Sequence, residues 1–322
     1  MRNKGRRESS PPVGIVGLGL MGSSIAACLL AAGHPVAGIE KNAARRKSVK
    51  RHILALLREM RKEKLLTRDP VALVRNLTVT EDYGALGHCA LVVEAIYEDL
   101  DAKRGVLRKI EQSVSREALI GSNTSALPVT ELQKGAGRPE RILGIHWAEP
   151  AHITRFMEII CGAQTDPANA DKVARMAERW QKEPTLVRRD VRGFITNRIM
   201  YAMLREAFYL VEAGYATPAD VDRSLRNDLG YWITMAGPFR FMDLTGIPAY
   251  AAVMRDLLPE LCRDTKVPAL MEKMVASGAR GTANAQGFYD YTPAEAKRWE
   301  KRFLQFSYDI RALALKYAER AR

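Results

Sequence analysis

The stretch Val13-Gly14-Ile15-Val16-Gly17-Leu18-Gly19-Leu20-Met21-Gly22 most narrows what this chain can fold into. Its opening apolar run reads as a buried strand, and the apolar residues from Leu20 to Gly33 continue as a helix. A second strand, Pro35-Val36-Ala37-Gly38-Ile39, ends in the carboxylate of Glu40. Gly17, Gly19 and Gly22 have the G-x-G-x-x-G spacing. The first glycine permits a tight turn, the second lets backbone approach a pyrophosphate, and the third lets helix pack on strand. The phosphates of a dinucleotide then sit at the helix N-terminus, where free N–H groups and the dipole favour anions. Leu18, Leu20 and Met21 fill the remaining positions of this predicted cofactor loop. Glu40 is placed to accept from a ribose 2′-hydroxyl and repels a 2′-phosphate, which favours NAD over NADP.

The same run, behind Arg2, Lys4, Arg6 and Arg7, also has the length of an export signal or a membrane span. Its five glycines and the lack of a small-residue cleavage pattern argue against export. Cys28, Cys89, Cys161 and Cys262 are scattered without a C-x-x-C pair, as reduced, buried thiols would be. A cytoplasmic protein without a membrane partner is expected.

At 322 residues the chain has room for two cores. Its net charge of +13 invites a nucleic-acid reading, but the charge is local. Residues 1–10 carry +3 and residues 41–64 carry +8. The second stretch interleaves its charges with Ile53, Leu54, Leu56, Leu57 and Met60, the pattern of an amphipathic helix with a basic outer face. No aromatic residue is present there to stack on bases, so no nucleic-acid partner is expected. A solvated face is the plain reading; a landing site for an anionic substrate, or for the phosphates of a carrier such as CoA, is the functional one.

The expected fold is α/β, a Rossmann-type dinucleotide-binding domain over 13–190, followed by an all-α domain over 191–322. Residues 1–12 are expected to be a disordered basic tail. Further strands are predicted at 77–80, 90–96, 118–121, 142–147, 156–160 and 184–191, with helices at 99–113 and 168–181. From Phe194 to Ala213 the pattern is one long helix, and helical patterns continue beyond it, punctuated by Gly214, Pro218, Gly230 and Gly237-Pro238.

A dinucleotide fold does not specify a reaction. The informative pair is His146, at a strand end, and Glu158, twelve residues on in the next strand. If the two strands pair about Pro150, the side chains face each other. A carboxylate on one imidazole nitrogen fixes the tautomer and leaves the other nitrogen as an acceptor. Alcohol oxidation by NAD needs such a base, which takes the hydroxyl proton as hydride leaves the same carbon. A satisfied core histidine is the competing reading, and a metal site from His146, Glu149, His152 and Glu158 is a third. Pro150 forbids the geometry of a helical H-E-x-x-H site and NAD chemistry needs no metal, so none is expected. Ser125, after a strand end, is placed either to donate to a substrate oxygen or to cap a helix before Pro128.

Several stretches in order resemble the L-3-hydroxyacyl-CoA dehydrogenase family. They are Gly17–Gly22, Val93-Glu94-Ala95-Ile96-Tyr97-Glu98 with Lys103, Ser122-Asn123-Thr124-Ser125, His146 with Pro150 and Glu158, and Gly193-Phe194-Ile195-Thr196-Asn197-Arg198. Gly237-Pro238 and Gly287-Phe288-Tyr289-Asp290-Tyr291 add to them. The resemblance implies His146 as base and Glu158 as its partner, with Ser125 and Asn197 holding the reacting oxygen and substrate. It also implies that Glu98 and Lys103 line the cofactor site and that the helical domain makes a homodimer. The implied substrate is a small 3-hydroxy compound, as a CoA thioester or a free acid. Where relatives carry an asparagine near the nicotinamide, this chain has Glu149. The helical domain, through Asn227-Asp228-Leu229-Gly230-Tyr231-Trp232, is similar to the branch of L-gulonate 3-dehydrogenase and L-carnitine dehydrogenase. Acids of the L-gulonate, carnitine or 3-hydroxybutyrate type are therefore the alternative substrates. Lambda-crystallin resemblance adds a non-catalytic NAD-binding structural protein as a remote alternative.

Overall fold

Alternating short apolar runs and helical patterns lead to a sheet covered on both faces. The computed structural model describes residues 10–317. The chain forms two compact units, one ending at Asn197 and the other beginning at Arg198.

The first unit is built on eight strands: β1 Val13–Val16, β2 Val36–Ile39, β3 Leu77–Thr80, β4 Leu91–Glu94, β5 Leu119–Ser122, β6 Ile142–Trp147, β7 Phe156–Cys161 and β8 Glu183–Val187. They lie in the order β3-β2-β1-β4-β5-β6-β7-β8. All neighbours are parallel except β6 and β7, which run antiparallel. The chain winds outward from β1 to β3 and then returns to place β4 on the other side of β1. This switch opens a crevice beyond the carboxyl ends of β1 and β4, where open α/β sheets bind ligands.

Helices α1 Leu20–Ala31, α2 Ala43–Lys62, α3 Pro70–Val74, α4 Leu100–Ser113, α5 Val129–Gln133 and α6 Pro167–Arg179 connect the strands. Their starts follow from local chemistry. Asn42, Asp69, Asp99 and Asp166 each accept a backbone N–H from the first turn of the helix they precede, and Pro70 and Pro167 sit at first-turn positions that need no donor. Core residues from α1, α2 and α6, among them Ile25, Leu29, Ile53 and Leu57, pack with Ile15, Ile145 and Trp147. A second cluster joins Val16, Val92, Ile110, Ile120 and Leu132. In α2, Ile53 and Leu57 are fully buried, and each stabilises by roughly 1.5–3 kcal/mol. The basic residues Lys47, Lys50, Arg51, Arg58 and Arg61 occupy the exposed surface of that helix.

Three expectations change. Residues 1–9 of the predicted disordered tail lie outside the described residues, whereas Pro11 and Pro12 are held, their carbonyls accepting from His34 Nδ1 and the Ala90 N–H. The last strand of this unit stops at Val187, because Asp190 turns back to accept from the Thr130 N–H and Oγ1 at the start of α5. The long helix predicted from Phe194 begins instead at Thr196. Gly193 and Phe194 have φ of 79° and 51°, left-handed values that no α-helix contains.

The second unit is helical: the body of α7 Thr196–Glu212, then α8 Pro218–Asn227, α9 Leu229–Ile233, α10 Gly237–Thr245, α11 Ile247–Leu257, α12 Ala269–Ala276 and α13 Pro293–Tyr317. Thr217 and Asp220 form a reciprocal capping box on α8. Glu206 and Glu212 of α7 accept the Cys262 and Leu270 N–H groups. Helices α7 to α12 bury no residue fully; in the whole unit only Cys262, Ala296, Tyr308 and Arg311 are buried among the described residues. Among the described residues no helix is long and apolar enough to cross a membrane.

Candidate active site

The glycine loop lies at the end of β1. Gly17 has φ of 93°, and a Cβ there would stand 2.8 Å from the Ala95 carbonyl oxygen. A Cβ on Gly22 would stand 1.8 Å from the Gly17 carbonyl oxygen, so the helix can approach the strand this closely only without a side chain. Gly19 has open space where its Cβ would be, and it caps α1 with no side-chain bond. The first turn of α1 therefore presents its N–H groups to a clear volume, which fits a pyrophosphate. Leu18 is buried, whereas Leu20 is exposed.

Glu40, 5% exposed, closes this end of the site. Its Oε2 accepts from the Leu18 N–H at 3.1 Å and from Arg45 at 3.2 Å, and its Oε1 accepts from the Asn42 N–H at 2.8 Å. A carboxylate has about four acceptor positions, so one is left for a ribose hydroxyl. Burial pushes the Glu40 carboxyl up, but the Asn42 and Leu18 N–H groups and Arg45 outweigh it and hold the group below its ordinary range. Arg45 was not singled out by the sequence, although its place in the first turn after Glu40 was the available signal.

At the end of β4, Glu94 and Lys103 form a fully buried ion pair. Lys103 Nζ donates to Glu94 Oε1 at 2.8 Å and Oε2 at 3.1 Å, and to the Ile96 carbonyl at 3.3 Å. The Ile96 N–H and Ser122 Oγ complete the acceptor set of Glu94, at 2.7 and 2.6 Å. Lys103 also reaches Glu98 Oε2 at 3.4 Å. Glu98 in turn accepts Thr124 Oγ1 and the Ser125 and Ala126 N–H groups on its other oxygen. Lys103, 0% exposed, thus acts on this site by holding two carboxylates in place. Burial raises the Glu98 carboxyl, and Thr124, Lys103 and the two N–H donors bring it below its usual value. Ser125 is exposed, and its helix-capping alternative does not occur, since Pro128 precedes α5 without a side-chain bond. The Ser125 carbonyl accepts from Asn197 Nδ2 at 2.8 Å, which joins these two residues.

On β6 and β7, His146 lies directly opposite Glu158. Nδ1 of His146 is 3.0 Å from Glu158 Oε2. The other oxygen of Glu158 accepts the Ile195 and Thr196 N–H groups at 3.2 and 3.0 Å. Burial raises the Glu158 carboxyl, while the hydrogen bond from His146 and the Thr196 and Ile195 N–H groups lower it further than burial raises it. The carboxylate therefore stays ionised and acts as acceptor for Nδ1–H, which leaves Nε2 as the acceptor nitrogen of the neutral ring. Phe156 and Phe194 pack on the imidazole with ring centroids at 5.3 and 5.7 Å. Asn123, which carried no assigned role, bonds the end of β6 through Oδ1 to the Trp147 N–H at 3.0 Å, and its own N–H donates to the Glu94 carbonyl.

The glycine loop, Glu98, Ser125 and His146 lie at or past the carboxyl ends of β1, β4, β5 and β6, with Glu158 of β7 opposite His146 and Asn197 of α7 bonded to Ser125. The structure does not gather the four residues of the metal reading. Glu149 stands exposed in the β6–β7 connection, and His152 bonds Ser24 and Glu59 instead. Among the described residues no group of three His, Cys, Asp or Glu side chains is placed to hold a metal ion.

Residues 12–191 match the family model described as 3-hydroxyacyl-CoA dehydrogenase, NAD binding domain, and residues 193–291 match 3-hydroxyacyl-CoA dehydrogenase, C-terminal domain. The chain is 34% identical over 287 residues to 5-formyl-3-hydroxy-2-methylpyridine 4-carboxylate 5-dehydrogenase of Mesorhizobium japonicum, covering 88% of this chain and 92% of that one. It is 33% identical to a probable 3-hydroxybutyryl-CoA dehydrogenase of Deinococcus radiodurans, over 86% of this chain and 99% of the relative. A crystal structure of the pyridine-carboxylate enzyme, described as an NAD+ dependent dismutase, superposes with TM-score 0.88 at 29% identity, covering 94% and 98% of the two chains. The (S)-3-hydroxybutyryl-CoA dehydrogenase of Ralstonia eutropha superposes with TM-score 0.73 at 28% identity, covering 88% and 100%.

Removing one partner of a buried ion pair strands the other. Lys103→Met is expected to lower unfolding free energy by about 3–5 kcal/mol, read by urea denaturation. Adding Glu94→Gln should restore part of that loss, because the stranded charge is then gone.

Proposed function

The chain belongs to the 3-hydroxyacyl-CoA dehydrogenase family, and we propose that it oxidises a 3-hydroxyacyl-CoA to its 3-keto form with His146 as general base. It is an NAD-dependent oxidoreductase acting on a CH–OH group. The observation that carries the assignment of the base is the buried His146–Glu158 pair, with Glu158 anchored by two N–H groups. Bound NAD supplies the hydride acceptor. His146 Nε2 takes the substrate hydroxyl proton in oxidation and returns it in reduction. Glu158 holds the ring and stabilises the imidazolium once formed. Ser125 and Asn197, joined by their mutual bond, are the proposed contacts to the reacting oxygen and the substrate. Gly17 to Gly22 and Glu40 hold the dinucleotide, with Glu98 beside Ser125 and Lys103 bracing it, and Glu149 of the β6–β7 connection is the remaining proposed cofactor contact.

The relatives named as 3-hydroxybutyryl-CoA dehydrogenases support a CoA thioester over a free acid. A second reading rests on the higher TM-score with the pyridine-carboxylate enzyme. In this reading the donor is the hydrate of an aromatic aldehyde, which also presents a CH–OH group to His146. The four cysteines are buried thiols, which supports a reducing, cytoplasmic setting.

The helical unit supports a homodimer. Tyr231 is 82% and Phe239 79% exposed, far from the burial that aromatic side chains of a finished core show. In α13, Trp299, Phe303, Phe306, Ile310, Leu313 and Tyr317 recur alternately four and three residues apart, the spacing of a helix–helix seam, and all but Ile310 are exposed.

NADH oxidation with acetoacetyl-CoA, run beside NAD reduction with L-gulonate, carnitine, 3-hydroxybutyrate and 5-formyl-3-hydroxy-2-methylpyridine 4-carboxylate, tests the substrate. Turnover of the CoA ester is expected; turnover of the aldehyde alone, yielding acid and alcohol together, would establish the second reading. His146→Gln should lower kcat by roughly 10²–10⁴-fold with little change in NAD affinity. Unaltered turnover would remove His146 from the mechanism.

Light scattering at micromolar concentration should give the mass of two chains, and Phe303→Lys with Phe306→Glu should shift it toward one. A single-chain mass for the unaltered protein rules out the dimer.

A further inference from the structure

Among the buried titratable side chains of the first unit that the reaction does not use are His152 and Lys182. Both act on residues 148–155, the connection between β6 and β7. His146 lies two residues before this connection and Glu158 three residues after it.

His152 is engaged at both ring nitrogens. Nδ1 lies 2.8 Å from Ser24 Oγ, and Nε2 lies 3.5 Å from Glu59 Oε1. The backbone N–H of His152 donates to the same Ser24 oxygen at 3.0 Å. A hydroxyl has one proton to give. The Glu59 carboxylate can only accept, so the ring proton sits on Nε2. Burial favours the neutral ring, in which Nδ1 is an acceptor and takes the proton of Ser24 Oγ, while a lone pair of that oxygen takes the backbone N–H. Burial pushes His152 below the ordinary histidine range, Lys182 and His52 push the same way, and Glu59 opposes them.

Lys182 donates to the carbonyl oxygens of Ala151 and Thr154. Its Nζ is 4.9 Å from the ring centre of Trp147, the residue after His146. Within the connection, the Ile153 and Thr154 N–H groups both donate to the Pro150 carbonyl at 3.0 Å, and Thr154 Oγ1 donates to the Ala148 carbonyl at 3.2 Å. The connection is thus a compact knot fastened from outside by α1, α2 and the residue before β8.

We propose that His152 is a positioning residue. Through Ser24 it fastens the β6–β7 connection to α1, the helix that starts at the cofactor loop. The His146–Glu158 pair is thereby held at a fixed distance from the helix end that receives the dinucleotide phosphates. Ser24 lies two residues past Gly22, so the mechanical path from phosphate site to connection is short. The inference rests on His146 being the base. Hydride and proton leave one substrate carbon and its oxygen together, so base and nicotinamide must keep their relative placement. A displacement of about 1 Å costs on the order of 10²-fold in rate.

The test uses Ser24→Ala, His152→Phe and His152→Asn in the full chain, with NAD and the compound of the panel that the unaltered enzyme turns over. Ser24→Ala and His152→Phe should each lower kcat by about tenfold or more, while KM for NAD moves less than about threefold. His152→Asn keeps an oxygen that can accept the Ser24 proton and should recover part of the loss. Amide exchange without substrate should speed up at Ile153 and Thr154 in Ser24→Ala and His152→Phe, with α2 unaffected. Unchanged exchange in Ser24→Ala overturns the fastening. Faster exchange with kcat within about twofold of the unaltered enzyme overturns the positioning role. An unaltered enzyme inactive on the whole panel would count against the proposed reaction, and the exchange result would still decide the fastening.

Discussion

The ion pair of Glu94 and Lys103 is the interaction on which the rest of the site depends. Two charges with no exposure are costly to remove from water, and their attraction repays that cost only if the remaining donors and acceptors are satisfied. Here they are. Glu94 takes Lys103 on both oxygens, the Ile96 N–H on one and Ser122 on the other. The result ties the ends of β4 and β5 to α4 and to the loop that carries Glu98. A leucine and methionine in these places would stabilise the core at least as well. They would not specify where the loop at 95–98 turns, and Gly17 packs against the first residue of that loop.

The same device recurs. Glu40, Glu98 and Glu158 are carboxylates that accept backbone N–H groups from a segment distant in sequence: Leu18 for Glu40, Ser125 and Ala126 for Glu98, Ile195 and Thr196 for Glu158. Each thereby orders a loop at the rim of the crevice and is kept ionised by the loop it orders. Structural and electrostatic roles fall on the same atoms.

Much of this fold is legible in the sequence, because burial on one or both faces leaves a period that survives in a single chain. The strands, the glycine loop and the amphipathic α2 belong to that class. So does the pairing of His146 with Glu158, since the twelve-residue separation and Pro150 between them suit an antiparallel pair. What is not legible depends on contacts between elements. Lys103 reads as a ligand-facing cation until α4 is packed and its amine is found between Glu94 and Glu98. His152 reads as a potential companion of His146, whereas the connection turns it back onto Ser24. Asn123 shows its role only when β5 and β6 lie side by side. The late start of α7 depends on left-handed backbone at Gly193 and Phe194, and nothing in Phe194 itself announces that conformation.

Register explains why the core and the candidate chemistry cannot be separated. In β6 and β7, Ile145 faces Ile159 and Trp147 faces Met157, all four within one apolar cluster, while the alternate pair between them is His146 and Glu158. Strand side chains alternate faces, so slipping β7 by one residue would bring Ile159 or Met157 opposite His146 and send Glu158 into the apolar cluster. That slip would bury a carboxylate without the Ile195 and Thr196 donors it has now, a penalty of several kcal/mol for an unpaired charge. The apolar pairs therefore select the register, the charged pair penalises every neighbouring one, and the imidazole is aligned by the packing of residues that never meet a substrate.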